Sequence, residues 1–311
     1  MIDVITSTKK LSKNEWLNWR KKGIGGSDVA TICGLNKYKS PLQLWLEKTE
    51  QVEPVEAGEA AYFGTLLEPV VRDEFTRRSG LRVETINSML KHPVFEFMLA
   101  NVDGVVIDQD NSKAIFEAKT ASVFKSEQWE DNKIPEEYML QIQHYMAVTG
   151  FNKTYIACLL GGNKFIYKLI ERDDELIDMI IQLEYNFWEC VKSNVPPKID
   201  GSESCSELMS RLYPNANNGS SIILPDEAQQ LVDQYNSSKE QEKLFSEKKD
   251  EAANMLKQML GDNEVGVIND IKVSWKNVIT ERLDTKKLKA ENPEIYGEYV
   301  SSSSSRRFSI K

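Results

Sequence analysis

Three residues whose types and spacing suit phosphodiester chemistry lie within the segment NVDGVVIDQDNSKAIFEAKT, residues 101–120. Asp103 ends one predicted strand, and Glu117 and Lys119 lie two residues apart in the next. Because side chains alternate along a strand, Glu117 and Lys119 should project to one face while Ala118 points into the core. A hairpin between the two strands would bring Asp103 beside both of them.

Two carboxylates and a lysine in this arrangement can hydrolyse a phosphodiester. Carboxylate oxygens bind a hard divalent ion such as Mg²⁺, and the ion polarises the phosphoryl oxygen and helps to form hydroxide. A neighbouring lysine orients the attacking water and offsets negative charge on the phosphate. The E-x-K pattern is also common on exposed strands, where it only places charges in solvent, so the interpretation depends on further residues.

Two predicted helices supply such residues. Glu68 lies between apolar residues in GTLLEPVVRDEF, so it is expected to face inward, where an unpaired carboxylate is costly unless it binds something. Pro69, directly after it, indicates an early position in the helix. Gln141 and Tyr145 lie four residues apart and therefore share one face of a helix predicted over residues 136–150.

A glycine-rich turn near the N-terminus is suited to binding an anion. Residues 23–26 (GIGG) precede a predicted helix start at Ser27, where backbone N–H groups and the helix dipole favour negative charge. Ser27 adds a hydroxyl group, and the basic run from Arg20 to Lys22 lies just before the turn. No predicted strand precedes the glycines, which excludes the dinucleotide-binding fingerprint. The turn would suit a terminal phosphate group.

These residues belong to a predicted α/β core over residues 1–198, with a central mixed sheet flanked by helices. Helices are predicted over residues 12–22, 29–33, 42–50, 64–80, 136–150 and 176–194. Strands are predicted over residues 81–85, 99–108, 113–120, 154–160 and 164–171, with turns at 108–112 and 161–163.

A linker rich in serine, asparagine and glycine is predicted over residues 199–221, and an extension follows over 222–311. The extension is predicted to contain a long helix or helical hairpin over 225–260. A β-hairpin over 264–279 is predicted to turn at Asn269-Asp270. The last residues, SSSSSRRFSIK, are interpreted as a final strand or a tail.

Composition excludes several classes of protein. The 311 residues are 41% hydrophobic and 28% charged, as in ordinary soluble proteins. The sequence has neither a membrane-length apolar run nor a signal-peptide pattern, so a cytoplasmic location is expected. The net charge of -9 argues against coating nucleic acid through bulk charge, although basic residues near the N-terminus can still contact phosphate. His92 and His144 are the only histidines, which excludes a histidine-rich nuclease site, and His144 is interpreted as structural.

The four cysteines are isolated residues, and none forms a C-x-x-C pair. In a reducing compartment such cysteines mostly serve as small core hydrophobes. Iron–sulfur exonucleases have one cysteine before the core and three after it, and here Cys33 precedes the core while three follow. The gaps between Cys158, Cys190 and Cys205 are too wide for a compact cluster site, so no iron–sulfur cluster is expected.

Taken together, the motifs resemble a known nuclease family. The runs G-I-G-G-S-D-x-A, E-P, V-D-G, E-A-K and Q-x-Q-H occur in this order, and they resemble those of the YqaJ-type viral recombinase nucleases. That family is similar in turn to the lambda exonuclease of phage recombination, with the D-x(n)-E-x-K signature of PD-(D/E)XK nucleases. The resemblance covers about residues 10–200 and implies a restriction-endonuclease-like core. The segment RLDTKKLKAENPEIYGEY further resembles the C-terminal extension of YqaJ-type members.

The resemblance implies a metal site and a group that acts on the nucleophile. Asp103 and Glu117 would be the main metal ligands, and the backbone carbonyl of Ala118 would bind one ion. Glu68 would complete the site directly or through water. Lys119 would position or activate the nucleophile. The implied ion is Mg²⁺, with Mn²⁺ as a substitute.

The resemblance also implies contacts with DNA. Gln141 would hold the attacking water or the scissile phosphate, and Tyr145 on the same helix face would contact the DNA. Ser27 and one basic residue of the run before the turn would take the 5′-phosphate of the DNA end. Arg20 and Lys22 are the candidates for that basic residue.

The implied function is a 5′–3′ exonuclease that degrades one strand of linear double-stranded DNA. It would leave 3′ single-stranded DNA for phage-type homologous recombination. The implied partners are a single-strand annealing recombinase and further copies of the chain in a ring-shaped oligomer such as a trimer. A phage- or prophage-encoded protein in the bacterial cytoplasm is expected. Two alternatives remain open, a PD-(D/E)XK endonuclease and a non-catalytic DNA-end-binding recombination accessory.

Overall fold

A computed structural model describes residues 3–54, 58–107, 112–131, 133–216, 220–301 and 306–310. The chain divides into two units, Met1–Leu212 and Tyr213–Lys311. Most of the turn predicted at residues 108–112 lies outside the described residues, as do residues 217–219 of the predicted linker and residues 302–305 of the predicted tail.

Helices and short strands alternate along the first unit. The helices are α1 (Lys13–Lys21), α2 (Gly26–Ile32), α3 (Pro41–Lys48), α4 (Glu59–Ser79), α5 (Glu136–Thr149), α6 (Asp174–Ser193) and α7 (Glu203–Leu212). The strands are β1 (Asp3–Ser7), β2 (Ile24–Gly25), β3 (Val83–Glu84), β4 (Ser88–Lys91), β5 (Met98–Ala100), β6 (Gly104–Ile107), β7 (Lys113–Ala121), β8 (Lys153–Leu160) and β9 (Lys164–Glu171). A 3₁₀ helix, Val123–Trp129, follows β7.

Local sequence accounts for where several helices begin and end. α1 begins after Ser12, whose hydroxyl accepts the Glu15 N–H while the Glu15 carboxylate accepts the Ser12 N–H. These two hydrogen bonds form a capping box, for which the spacing of Ser12 and Glu15 in the sequence is typical. α4 and α5 end at Gly80 and Gly150, which adopt left-handed backbone angles (φ 73° and 71°) that favour glycine.

The strands of this unit form two mixed sheets, which confirms the predicted fold class. One sheet has the order β3-β6-β7-β8-β9, in which β7 and β8 are parallel and the other pairs antiparallel. The other sheet has the order β1-β4-β5-β2, in which β2 runs parallel to β5. Helices α4 and α5 pack on these sheets.

α4 is held on its sheet by aromatic packing. The ring of Phe75, fully buried, lies 5.0 Å from that of Phe116 on β7 and 5.4 Å from that of Tyr155 on β8. The spacing pattern also predicts Leu66 and Val70 on the inner face, but both are more than half exposed. Val71 and Phe75 face the sheet instead, so the apolar stripe that α4 buries is narrower than the sequence pattern suggests.

α5 lies between the sheets and the other helices. Every residue from Gln141 to Thr149 is buried, because α5 contacts β5 and β7 on one side and α2 and α6 on the other. α2 approaches α5 closely at Gly26. A Cβ atom at Gly26 would stand 2.5 Å from Cε1 of Tyr145 and 3.0 Å from Cγ of Gln141. The contact therefore requires glycine at this position.

The single strand predicted over residues 99–108 is wrong. The chain instead leaves one sheet after Ala100 and joins the other at Gly104, forming β5 and β6. Between them the Asp103 carboxylate accepts the backbone N–H of Ala118 at 2.8 Å. The Asp103 side chain thus accepts a backbone hydrogen bond where the chain crosses from one sheet to the other. The alternation of apolar residues gives no sign of this crossing.

Part of the predicted linker belongs to the first unit. Residues 203–212 form α7, which packs on α3. Cys205 and Leu208 are buried in the main hydrophobic core. The unit consequently ends at Leu212 instead of at residue 198, because these apolar residues outweigh the serine-rich composition around them.

The second unit contains a long helix, a hairpin and two short helices. These are α8 (Ala228–Leu260), β10 (Val265–Ile268), β11 (Ile271–Ser274), α9 (Thr285–Glu291) and α10 (Pro293–Tyr299). The hairpin turns at Asn269-Asp270 as predicted, and Asn269 takes a left-handed conformation (φ 51°). Residues 306–310 form neither helix nor strand. Within the described residues, no helix has the length and apolarity that crossing a membrane requires.

Replacing Gly26 with alanine is predicted to destabilise the first unit. The added Cβ would push α2 away from α5, and overpacking of this kind costs about 1–3 kcal/mol. Urea-induced unfolding followed by tryptophan fluorescence measures the effect. Gly201→Ala is the matched control, because a Cβ there meets no atom within 4 Å. A Gly26→Ala variant as stable as wild type would show that the two helices do not make this contact.

Candidate active site

Lys119, Glu117 and Gln141 form a hydrogen-bonded triangle where β7 meets α5. The Lys119 ammonium donates to Oε1 of Glu117 at 2.7 Å and to Oε1 of Gln141 at 2.9 Å. The Gln141 amide donates to Oε1 of Glu117 at 2.8 Å, and it lies 3.1 Å from the hydroxyl of Tyr145. The predicted common face of Glu117 and Lys119 is confirmed, as is that of Gln141 and Tyr145.

Asp103 joins the triangle from the neighbouring strand. β6 and β7 pair antiparallel with Gly104 opposite Phe116, so the residue before β6 falls beside Glu117. The bond from the Ala118 N–H fixes the Asp103 carboxylate there. Ala118 itself packs among apolar residues between α4 and the sheet, as alternation along the strand predicts.

Glu68 reaches the same place from α4. A cavity of about 270 Å³ is lined by Glu68, Asp103, Glu117, Ala118, Lys119 and Tyr138 among others. All the residues predicted to bind metal therefore lie on one cavity. Lys119 also lies 4.7 Å above the ring of Tyr138, a residue that the sequence gives no reason to select.

The early helix position predicted for Glu68 is wrong. α4 begins at Glu59, and Pro69 lies inside it. Proline has no N–H, so the backbone carbonyl of Thr65 loses its usual helical donor. Thr65 lines the cavity that contains Glu68. The proline therefore weakens the helix on the side that faces the acidic residues.

Burial and mutual repulsion control the protonation of the acidic residues. Burial, together with the charge of Asp103, raises the pKa of Glu117 to about 8 against the pull of Lys119. Burial likewise raises the pKa of Asp103, although the Ala118 N–H and Lys119 oppose it. Burial and Asp103 raise the pKa of Glu68. Such raised pKa values are typical of neighbouring carboxylates whose burial and mutual repulsion are not fully offset by nearby positive charge.

Lys119 holds its proton in this setting. Burial alone would lower the pKa of Lys119, but the Glu117 and Asp103 carboxylates together outweigh burial and raise it. A protonated lysine can donate hydrogen bonds and offset negative charge, and it cannot accept a proton from water. The geometry therefore favours an orienting and charge-offsetting role for Lys119.

The donor set fits a hard divalent cation. Oε2 of Glu117 is buried and has no hydrogen-bond partner among the described residues, although a buried carboxylate oxygen normally has one. Asp103, Glu68 and the Ala118 carbonyl supply further oxygen atoms of the kind that Mg²⁺ and Mn²⁺ bind. In the described part of the chain, no three His, Cys, Asp or Glu side chains are already gathered at metal-binding distances. A cation would thus draw these oxygens together.

A second cavity lies on the other side of Asp103 and Glu117. Its volume is about 180 Å³, and its walls include Trp16, Arg20, Gly25, Gly26, Ser27, Asp103, Glu117, Gln141 and Tyr145. Arg20 donates to the Ser27 hydroxyl at 2.8 Å, and its guanidinium lies over the ring of Trp16 at 5.0 Å. The structure therefore brings the predicted phosphate-binding residues Arg20 and Ser27 together.

Of the other two residues predicted to contact DNA, Tyr145 lines the second cavity and Lys22 does not. Lys22 lies at the end of α1 with its ammonium 4.1 Å above the ring of Trp19, and it is not part of the wall described for the second cavity. Of the two basic candidates, the geometry thus favours Arg20. Tyr145 does line that cavity, but it is buried and accepts a hydrogen bond from Gln141.

A buried ion pair holds α5 against α6 and β5. Nδ1 of His144 lies 2.7 Å from Oε1 of Glu184, and its Nε2 lies 2.9 Å from the backbone oxygen of Leu99. Because a carbonyl only accepts, Nε2 carries a hydrogen, and one further proton is shared by Nδ1 and the carboxylate. The interpretation of His144 as a structural residue is confirmed.

Glu184 is a residue that the sequence analysis misses. It lies on α6 in line with Ile177, Ile180 and Phe187, which are all buried. A carboxylate in the middle of an apolar helical stripe is a signal of a buried partner. Here that partner is the histidine three residues after Gln141.

The chain is similar to known proteins both in sequence and in fold. Residues 15–152 match the family model of the YqaJ-like viral recombinase domain. Over 313 residues the chain is 44% identical to the uncharacterized protein YqaJ of Bacillus subtilis (strain 168), with 99% of this chain and 97% of that protein covered. The crystal structure of an alkaline exonuclease (LHK-Exo) from Laribacter hongkongensis is similar with a TM-score of 0.50 at 23% identity, over 64% of this chain and 100% of that chain. LHK-Exo in complex with dAMP gives the same score and identity, over 65% and 98%. The structural likeness shows a shared fold.

Glu184→Gln is predicted to change how stability depends on pH. Burial alone would lower the pKa of His144, but Glu184 raises it above 6.5, and burial raises the pKa of Glu184 above 4.5. In the folded protein the His144–Glu184 pair therefore keeps its shared proton at pH values at which His144 in the unfolded chain releases it. Its contribution to the free energy of unfolding is complete below pH 6.5 and declines as the pH rises.

Urea unfolding at several pH values above 6.5 tests this prediction. Wild type should lose stability more steeply than Glu184→Gln, by at most about 1.4 kcal/mol per pH unit. Glu189→Gln, which alters an accessible carboxylate on the same helix, should follow wild type. Equal slopes for wild type and Glu184→Gln would refute the proton sharing.

Proposed function

The chain belongs to the YqaJ-like viral recombinase family, and from this premise we propose that it is a metal-dependent 5′–3′ exonuclease of linear double-stranded DNA. It would leave 3′ single-stranded DNA for homologous recombination. Family membership supports the role in recombination, and the arrangement of side chains supports phosphodiester hydrolysis.

The observation that carries the proposal is that Asp103 and Glu117 line both cavities. One cavity contains the Lys119 ammonium beside buried carboxylates, and the other contains the Arg20 guanidinium and the Ser27 hydroxyl. A terminal phosphate bound by Arg20 would therefore lie next to the site suited to phosphodiester hydrolysis. This pairing suits an enzyme that begins at a DNA end.

The end phosphate supports the 5′–3′ direction. Ends of linear DNA commonly carry a phosphate at the 5′ position and a hydroxyl at the 3′ position. A guanidinium binds a phosphate monoester strongly through charge-assisted hydrogen bonds, whereas it gains little from a hydroxyl. Arg20 and Ser27 would accordingly select the 5′ end and set which phosphodiester reaches Lys119.

Asp103, Glu117, Glu68 and the Ala118 carbonyl would hold the divalent cation, Mg²⁺ or Mn²⁺. When bound, the cation supplies charge neutralisation at the phosphate and lowers the pKa of water. Lys119, fixed by Glu117 and Gln141, would orient the attacking water and offset charge on the phosphate. Gln141 has its amide orientation fixed by these bonds, so it would hold the water or the phosphate in one position.

The partners belong to the same proposal. A single-strand annealing recombinase would receive the 3′ strand, and further copies of the chain would form a ring around the DNA. The setting would be the bacterial cytoplasm, with a phage or prophage as the source. Membership of a viral recombinase family supports the recombination setting.

Lys119→Ala is predicted to reduce DNA degradation by about 100-fold or more, because it removes the group that offsets charge in the transition state. The assay uses linear duplex DNA with 5′-phosphate ends in Mg²⁺, and EDTA should abolish the activity. Lys113→Ala is the matched control, since Lys113 is an exposed lysine on the same strand. It should degrade DNA at the wild-type rate.

The assay also separates the alternatives. Cleavage of closed circular DNA at a rate similar to that of linear DNA would indicate an endonuclease. Binding to DNA ends without degradation in either Mg²⁺ or Mn²⁺ would indicate a non-catalytic accessory. Loss of label from the 3′ end before the 5′ end would refute the proposed direction.

A further inference from the structure

Behind the Arg20–Ser27 cavity lies a buried lysine that neither the sequence analysis nor the proposed chemistry uses. Lys48, at the end of α3, donates to the carboxylate of Asp28 at 2.8 Å. It also donates to the backbone oxygens of Arg20 at 2.8 Å and Gly23 at 2.6 Å. An ammonium group has three donors, so every donor of Lys48 is engaged with the segment that forms the cavity.

Asp28 is the acceptor at the centre of this group. One oxygen accepts from the Arg20 guanidinium at 3.0 Å, and the other accepts from Lys48 and from the Gly25 N–H. The side chain of Asp28 is 8% exposed and that of Lys48 is 5% exposed. Lys48 and Arg20 together overcome burial and hold the pKa of the Asp28 carboxyl well below its usual range. The carboxylate is therefore charged.

A charged carboxylate beside Arg20 would work against an anion in the cavity. Asp28 alone would cancel the formal charge of Arg20, with which it forms an ion pair. Lys48 adds a second positive charge that pairs with Asp28, so the three groups carry one net positive charge. Arg20 is the member of the three that reaches the cavity wall, which also includes Asp103 and Glu117, so Arg20 is the group through which this positive charge acts on a phosphate.

We infer that Lys48 is a positioning and specificity residue for the 5′-phosphate. It neutralises Asp28 from behind, and it holds the backbone of residues 20 and 23 so that Arg20 and Ser27 face the cavity. Lys48 does not touch the phosphate itself, because its donors are engaged and it is buried. This role rests on the proposed function, which places a 5′-phosphate in that cavity.

Binding of DNA ends without cleavage tests this role. A blunt duplex with a fluorescent label at its far end and either a 5′-phosphate or a 5′-hydroxyl at the other end is titrated with the full-length protein in EDTA. Fluorescence anisotropy gives the ratio of the two dissociation constants. Lys48→Met should lower the preference for the 5′-phosphate by roughly tenfold, because the charge of Asp28 is then left to cancel that of Arg20.

Two further variants separate charge from general damage. Lys39→Met removes another lysine paired with a buried carboxylate of α3, Glu47, at 2.7 Å, and it should keep the wild-type preference. The double variant Asp28→Asn with Lys48→Met removes the carboxylate and its neutralising partner together. It should regain most of the preference, and it also avoids leaving a buried carboxylate without its lysine if Lys48→Met folds poorly.

Three outcomes would contradict these expectations. If Lys48→Met prefers the 5′-phosphate as strongly as wild type does, the proposed role of Lys48 is wrong, although the cavity can still bind the phosphate. A folded double variant without preference would overturn the charge balance. A wild-type protein that binds both ends equally would overturn the phosphate cavity and the role of Lys48 together, while metal-dependent degradation would remain a separate measurement.

Discussion

The structure depends on keeping acidic side chains buried where their negative charges repel each other. Glu117 is 3% exposed and lies beside Asp103. A buried carboxylate without a partner costs several kcal/mol, so the fold must supply compensating groups at fixed positions. Lys119 is on the same strand, the Ala118 N–H is adjacent, and Gln141 comes from α5. These groups offset the repulsion only in part, and the remaining negative charge is the feature that suits the site to a cation.

Buried carboxylates paired with basic side chains also occur in the helices that support the site. Asp28 pairs with Lys48 and thereby joins α2 to α3. Glu184 pairs with His144 and joins α6 to α5. Each pair links two consecutive helices and lies close to a residue of the active site. Breaking such a pair by removing one partner typically costs about 3–5 kcal/mol, so the helices are held in one arrangement around the carboxylates.

The sequence predicts those parts of the site that local geometry determines. Alternation along β7 places Glu117 and Lys119 on one face, and helical spacing does the same for Gln141 and Tyr145. What local patterns miss depends on tertiary contacts. Residues 101–103 cross between sheets because Asp103 accepts a backbone N–H from β7. Lys48 looks like an ordinary helix-ending lysine until the fold brings Asp28 and two backbone oxygens to it.

Mn²⁺ binding to the full-length protein, titrated by electron paramagnetic resonance without DNA, shows whether the buried carboxylates bind a cation. Wild type is expected to bind Mn²⁺, and Glu117→Gln, which keeps the shape of the side chain, is expected to weaken binding by roughly tenfold or more. Glu171→Gln, an exposed change on β9, should leave binding unchanged. Equal Mn²⁺ affinity in wild type and Glu117→Gln, or no binding by wild type, would contradict the claim that these carboxylates form a cation site.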